Sequence, residues 1–201
     1  MQDNRIYGII LSAGLSGRMR KFKPLLKYDG KSFVQNITEK LCAVCDRVII
    51  VKGFNAEQIE LEIKENLSEI HLPKIKFVLN ENYEAGMFTS LKTGLLNCPD
   101  ADWVLYHFVD QPTLPLEFYT DFIKQIDENY AWIQPVNGER KGHPVLFGKK
   151  VIERISEAPA DSNLREITHE GIKKKYWECG YKEIFDDIDN IEDYKNLAKI
   201  K

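Results

Sequence analysis

Three short stretches of this 201-residue sequence combine residue types and spacings suited to chemistry on a small anionic molecule. The first, Ser12-Ala-Gly-Leu-Ser-Gly-Arg-Met-Arg-Lys-Phe-Lys23, sets small residues ahead of Arg18, Arg20, Lys21 and Lys23. Small residues let backbone N–H groups approach an anion, and Gly14 and Gly17 let the chain bend to present them. A phosphate cradle is the expected use, with a merely solvated basic turn as the alternative. The spacing fits neither Gly-x-x-x-x-Gly-Lys-Ser/Thr nor Gly-x-Gly-x-x-Gly, which disfavours a P-loop ATPase and a dinucleotide-binding dehydrogenase.

The second stretch is Val109-Asp110-Gln111-Pro112, at the end of the most apolar run in the chain, where Pro112 stops a strand from continuing. Asp110 is a candidate Mg²⁺ ligand, since that ion commonly takes one or two carboxylates and fills its shell with water and phosphate oxygens. The alternative is a cap for a helix starting near Pro115. The third is Asp186-Asp187-Ile188-Asp189-Asn190. Capping and the helix dipole account for one or two acidic residues there but do not require three. Alternation in an extended stretch puts Asp187 and Asp189 on one side, with Asp189 the preferred partner for Asp110 and Asp187 the reserve. Cys42 and Cys45 have half-zinc spacing but lie in an apolar helix with no second pair, so core packing is expected. His71, His107 and His169 have no metal-ligand spacing.

These stretches need a frame, and the hydrophobic pattern supplies one: short β-rich runs alternate with segments of helical period, the pattern of βαβ units. Strands are expected at Ile6 to Leu11, Val48 to Val51, Ile75 to Leu79, Trp103 to Val109 and Trp132 to Val136. Helices are expected over Ser32 to Cys45, around Ile59 and Ile63, over Thr89 to Leu96, Leu116 to Ile126 and Ile191 to Ile200. The result is an α/β fold with a mainly parallel sheet, and shorter, partly antiparallel pieces after Gly138. Ligands of such sheets sit outside the carboxyl ends of the strands, where the first two stretches lie.

A formal charge of −3, with 28 basic and 31 acidic residues, gives no basic field for wrapping nucleic acid. Hydrophobic residues at 43% and charged ones at 29% fit one folded domain over residues 1–201 and exclude disorder and a disulfide mini-protein. No run approaches the roughly 20 apolar residues of a membrane span, and the N-terminus does not read as an export signal. With four scattered cysteines, a reducing cytoplasm is the expected setting.

Taken in order, the segments LSAGLSGRMRKFK, GMFTSL, VDQP, GHPVLF and FDDIDNIEDY resemble the motifs of the MobA-like nucleotidyltransferases. The likeness is greatest to the molybdenum cofactor cytidylyltransferase (MocA-like) branch and covers nearly the whole chain. It implies a three-layer, Rossmann-like sheet with helices on both faces, of the nucleotide-diphospho-sugar transferase type, and a Mg²⁺-dependent transfer of a nucleotidyl group with release of pyrophosphate. Leu11, Ser12, Ala13, Gly14, Arg18, Lys23 and Asp110 would bind nucleotide, with Lys23, Arg18 and Asp110 catalytic and Asp110 and Asp189 holding metal. Gly86, Met87, Ser90, Gly142 and His143 would face the acceptor, a phosphorylated small molecule such as molybdopterin, with a molybdoenzyme as client of the product. For His143, a histidine hydrogen-bonded to backbone in a tight turn is the alternative. Ala13, where guanylyl-transferring relatives usually carry glycine, favours CTP over GTP. The sequence departs from the family pattern at Arg20, Phe88 and Val109, and Asp161 to Arg165 matches a family segment without its glycines. The rival readings are a guanylyltransferase, a sugar- or alcohol-phosphate nucleotidyltransferase, and a noncatalytic module delivering cofactor.

Overall fold

A computed structural model describes residues 4–15, 17–19 and 21–197, so Arg20, the Arg18 side chain and the last three residues of the expected closing helix lie outside the described residues. In chain order the elements are β1 (Ile6–Leu11), the hairpin β2 (Lys27–Tyr28) and β3 (Lys31–Ser32), α1 (Phe33–Val44), β4 (Arg47–Lys52), α2 (Ala56–Asn66), β5 (Ile75–Leu79), α3 (Met87–Leu95), β6 (Trp103–Phe108) and α4 (Leu116–Ile123). They continue with β7 (Trp132–Asn137), β8 (Arg140–Lys141), β9 (Val145–Gly148), α5 (Lys149–Glu157), α6 (Leu164–Ile167), β10 (Lys174–Glu178) and α7 (Ile191–Leu197).

One sheet runs β10-β7-β9-β6-β1-β4-β5, with β8 paired to β7. Pairings of β1 with β4 and β6, of β4 with β5 and of β7 with β10 are parallel, whereas β9 runs antiparallel to β6 and β7. The sheet is therefore mainly parallel, and its antiparallel strands, β8 and β9, follow Gly138, while β2 and β3 pair antiparallel in a separate two-stranded sheet. Strand alternation splits the core: Tyr7, Ile9 and Leu11 pack with α3 and α5 on one face, Ile10 with α1, α2 and α4 on the other. Both faces are covered by helices, giving three layers.

Local sequence explains the elements that matter most. The Ser32 hydroxyl accepts from the Gln35 amide at 3.1 Å and starts α1, whose Phe33, Val34, Ile37 and Leu41 are fully buried on the 3.6-residue period. The helix expected to reach Ile126 ends at Ile123, because the Gln125 and Ile126 amides turn back three residues to Phe122 and Ile123. In the other direction, α3 begins at Met87, two residues ahead of expectation. Among the described residues no helix is long and apolar enough to cross a membrane.

The path of the chain creates the crevice. From β1 it passes through α1 to β4 on one side, while from β5 it returns through α3, on the opposite face, to β6 on the other side of β1. Neighbouring connections thus leave in opposite directions between β1 and β6, and a cleft opens outside their carboxyl ends.

Candidate active site

The cleft has a volume of about 360 Å³ and is lined by Leu11, Ser12, Ala13, Gly14, Gly17, Lys23, Pro24, Tyr83, Gly86, Met87, Ser90, Phe108, Val109 and Asp110. The loop after β1 forms one wall and is tied to β4: the Ser12 amide and hydroxyl both donate to the Val51 carbonyl, at 3.0 and 2.8 Å, and the Phe54 amide donates to Ala13 O at 3.1 Å. Both donors of Ser12 are therefore engaged within the protein. Gly14, by contrast, is exposed at the cleft.

Lys23 enters from a 3-10 turn, Lys23–Leu25, and is 9% exposed. Its Nζ donates to Asp110 Oδ2 at 3.1 Å and to Asp189 Oδ1 at 2.8 Å. Two carboxylates distant in sequence thus converge on one cation-sized point, and the ammonium stands in for a cation there. Among the described residues no group of three or more His, Cys, Asp or Glu side chains gathers as a metal cage. A pair of carboxylates still fits Mg²⁺, which takes one or two and leaves its other positions to water and phosphate oxygens. Asp110 is not the cap of α4, which starts six residues later with Pro115 at its cap position and no side-chain cap.

The third stretch is divided by hydrogen bonding. Capping of α7 falls to Asn190, whose Oδ1 accepts from the Glu192 and Asp193 amides, and to Asp193, whose Oδ2 accepts from Asp189 and Asn190. Asp187 Oδ1 instead accepts from Gln111 Nε2 at 2.7 Å, and the Ile188 amide donates to Asp110 O at 3.0 Å. Burial, together with the negative charges of Asp110 and Asp189, pushes the Asp187 carboxyl above its ordinary value despite the Gln111 bond.

Across the cleft, the turn before α3 is organised by Asn80, a residue that the sequence patterns do not single out. It is 3% exposed; its Nδ2 donates to Thr89 Oγ1 and Ser90 Oγ at 2.9 Å, and its Oδ1 accepts from the Asn82 amide. Gly86 has φ +116°, a conformation that other residues rarely adopt, and it turns the chain into α3. Tyr83 is a further missed lining residue. It packs over Gly53, where a Cβ would meet the Tyr83 ring at 2.8 Å and Ala13 Cβ at 2.9 Å. The only signal for Asn80 was its position, immediately after β5 on the ligand edge.

Gly142 and His143 lie outside the cleft lining. A Cβ on Gly142 would come within 2.6 Å of Ile184, and the His143 amide donates to Ile184 O at 3.1 Å. These two residues therefore seat the backbone that leads to Asp187 and Asp189. The His143 ring packs edge-on against Phe108, with centroids 4.7 Å apart, so it backs one residue of the cleft wall. Its Nδ1 is buried with no hydrogen-bond partner among the described residues, and burial lowers its pKa to about 4, leaving it neutral near pH 7.

A family model described as the MobA-like NTP transferase domain matches residues 8–175. The molybdenum cofactor cytidylyltransferase of Escherichia coli is 26% identical over 188 residues, 92% of each chain. Nicotine blue oxidoreductase of Paenarthrobacter nicotinovorans is 24% identical over 206 residues, 96% of each chain. Among solved structures, Rv0371c of Mycobacterium tuberculosis superposes with a TM-score of 0.78 at 21% identity, covering 99% of this chain and 100% of that one. This last likeness establishes the fold, that of the nucleotide-diphospho-sugar transferases.

Proposed function

The chain belongs to the MobA-like NTP transferase family, and from that premise we propose that it transfers a cytidylyl group from CTP to the terminal phosphate of a molybdopterin-type cofactor. The carrying observation is the convergence of Lys23, Asp110 and Asp189 beside the loop of small residues after β1. The match to the E. coli cytidylyltransferase along 92% of the chain and the alanine at position 13 support CTP.

In this reading the acceptor phosphate attacks the α-phosphorus of CTP, the P–O bond to the β-phosphate breaks, and pyrophosphate leaves. No general base is needed, because a phosphate monoester has its second pKa at about 6 and is largely ionised near neutral pH. Lys23, with Arg18, offsets charge on the phosphates as it builds in the transition state. The β1 loop, through Leu11, Ala13 and Gly14, holds the nucleotide by backbone contacts and so brings the reacting phosphates together. Asp110 and Asp189 would hold Mg²⁺, which, when bound, neutralises phosphate charge and polarises the bond under attack. On the other side, the amides at the start of α3, near Gly86, Met87 and Ser90, suit an anionic group of the acceptor. The setting proposed is cytoplasmic, with a molybdoenzyme receiving the product.

The test is pyrophosphate release with CTP, GTP, ATP and UTP, each with Mg²⁺ and with or without molybdenum-loaded molybdopterin. Release that requires both CTP and the pterin is the expected result. Release with GTP alone would reassign the base. Silence with the pterin for every nucleotide, from folded protein, would reject the acceptor and direct the search to other phosphorylated alcohols.

A further inference from the structure

We propose that Gln111 and Asp187 form a clasp that positions Asp189 opposite Asp110, so that Asp187 is a positioning residue and not a ligand of the cation. The proposal rests on the metal reading of Asp110 and Asp189 given above. Gln111 follows Asp110 directly, is 1% exposed, and reaches across to the last segment, where its Nε2 donates to Asp187 Oδ1 at 2.7 Å. Its orientation is fixed by charge: turned over, Oε1 would face a carboxylate oxygen.

The next residue closes the clasp. Ile188 is 6% exposed and its amide donates to Asp110 O at 3.0 Å, so the segment is held at two successive positions against the residues that carry the first carboxylate. In extended chain, alternate side chains share a direction, and with Ile188 buried, fixing Asp187 turns Asp189 to the same side. There Asp189 Oδ1 meets Lys23 Nζ at 2.8 Å. Asp193 steadies the far end by accepting from the Asp189 amide at 2.9 Å. Asp187 has meanwhile committed one oxygen to Gln111, which makes it the outer support of the pair.

The experiment compares the full-length wild type with Asp187→Asn, Asp187→Ala, Gln111→Leu and Asp189→Asn. Mn²⁺ binding is measured by calorimetry with and without CTP, and exchange of the Ile188 amide by NMR. Asp187→Asn keeps an oxygen that can accept from Gln111 and should retain wild-type Mn²⁺ affinity. Asp187→Ala and Gln111→Leu should each weaken Mn²⁺ binding about tenfold, the usual scale for outer supports of metal ligands, and a protein carrying both changes should be no worse than either alone. Both should also speed Ile188 exchange. Loss of Mn²⁺ in Asp187→Asn as complete as in Asp189→Asn would make Asp187 a ligand and overturn the proposal. Unchanged Ile188 exchange in Gln111→Leu would overturn it as well. If wild-type protein binds no Mn²⁺ in either condition, the metal reading fails, and the clasp is decided by the exchange result alone.

Discussion

Lys23 Nζ lies 3.1 Å from Asp110 Oδ2, joining the loop after the first strand to the end of β6 across 87 residues of sequence. The contact crosses the place where the connections of a parallel sheet diverge, and it is half of a three-membered cluster completed by Asp189. A mostly buried ammonium is held between two carboxylates that are 24% and 35% exposed, so the cluster is partly screened by solvent. Its main consequence concerns how the cleft handles charge, and its contribution to stability is modest.

Asp110→Asn should therefore lower the rate of nucleotidyl transfer by about 10² or more, the scale for removing a group that acts on transition-state charge. Lys23 keeps Asp189, so the thermal midpoint should move by only a few degrees. Steady-state pyrophosphate release together with a melting curve checks both. Turnover equal to wild type would remove Asp110 from the mechanism.

Lys23→Met should separate two roles of one ammonium. Transfer should collapse, because the positive charge on the phosphates is gone. Nucleotide-free protein, however, should bind Mn²⁺ more tightly than wild type, because the internal cation no longer competes for the two carboxylates. Electron paramagnetic resonance of free Mn²⁺ measures this directly, and weaker binding in the variant would contradict it.

Acid should destabilise the fold in a window set by buried His107 and half-buried His143. His107 is fully buried; because Phe108 O can only accept, its Nδ1 carries the proton at 2.6 Å, and Nε2 accepts from Tyr119 Oη at 2.7 Å. Burial lowers the His107 pKa to about 3 and the His143 pKa to about 4, against roughly 6.5 in unfolded chain. Between those values the unfolded state binds more protons, so stability is complete above about pH 6.5 and falls as the pH drops toward 4. His143→Gln should flatten part of that decline in urea unfolding curves, and a pH profile parallel to wild type would exclude His143 as a source.

Gly142→Ala should cost about 1–3 kcal/mol, the usual price of overpacking, because its Cβ would lie 2.6 Å from Ile184. The companion change Ile184→Ala makes room and should recover part of the loss relative to the sum of the two single changes. Simple additivity in chemical denaturation would show that the contact is not the cause.

Most of the frame is legible in the sequence because a buried parallel strand must be an apolar run and a packed helix must repeat at 3.6 residues. Ile6–Leu11, the run Val48, Ile49, Ile50 and Val51, and the stripe Phe33, Val34, Ile37 and Leu41 follow those rules, and so do their positions in the fold. Loops leave other kinds of mark: glycines, clustered cations and a carboxylate before proline name Gly14, Lys23 and Asp110. What pattern could not supply was distance. Asp187 and Asp189 are equivalent by alternation, and only the folded chain gives one to Gln111 and the other to Lys23. Gly142 and His143, which the family resemblance gives as an acceptor wall, pack against Ile184 and are absent from the lining of this cleft, a contact that pattern does not reveal. Asn80 leaves no periodic signal at all, since its worth lies in three hydrogen bonds closed by tertiary structure. Sequence determines which elements form and which chemistry they can offer, because both depend on local residue types. Which side chains meet depends on strand order and the hand of each crossover, and those are settled only when the whole sheet is assembled.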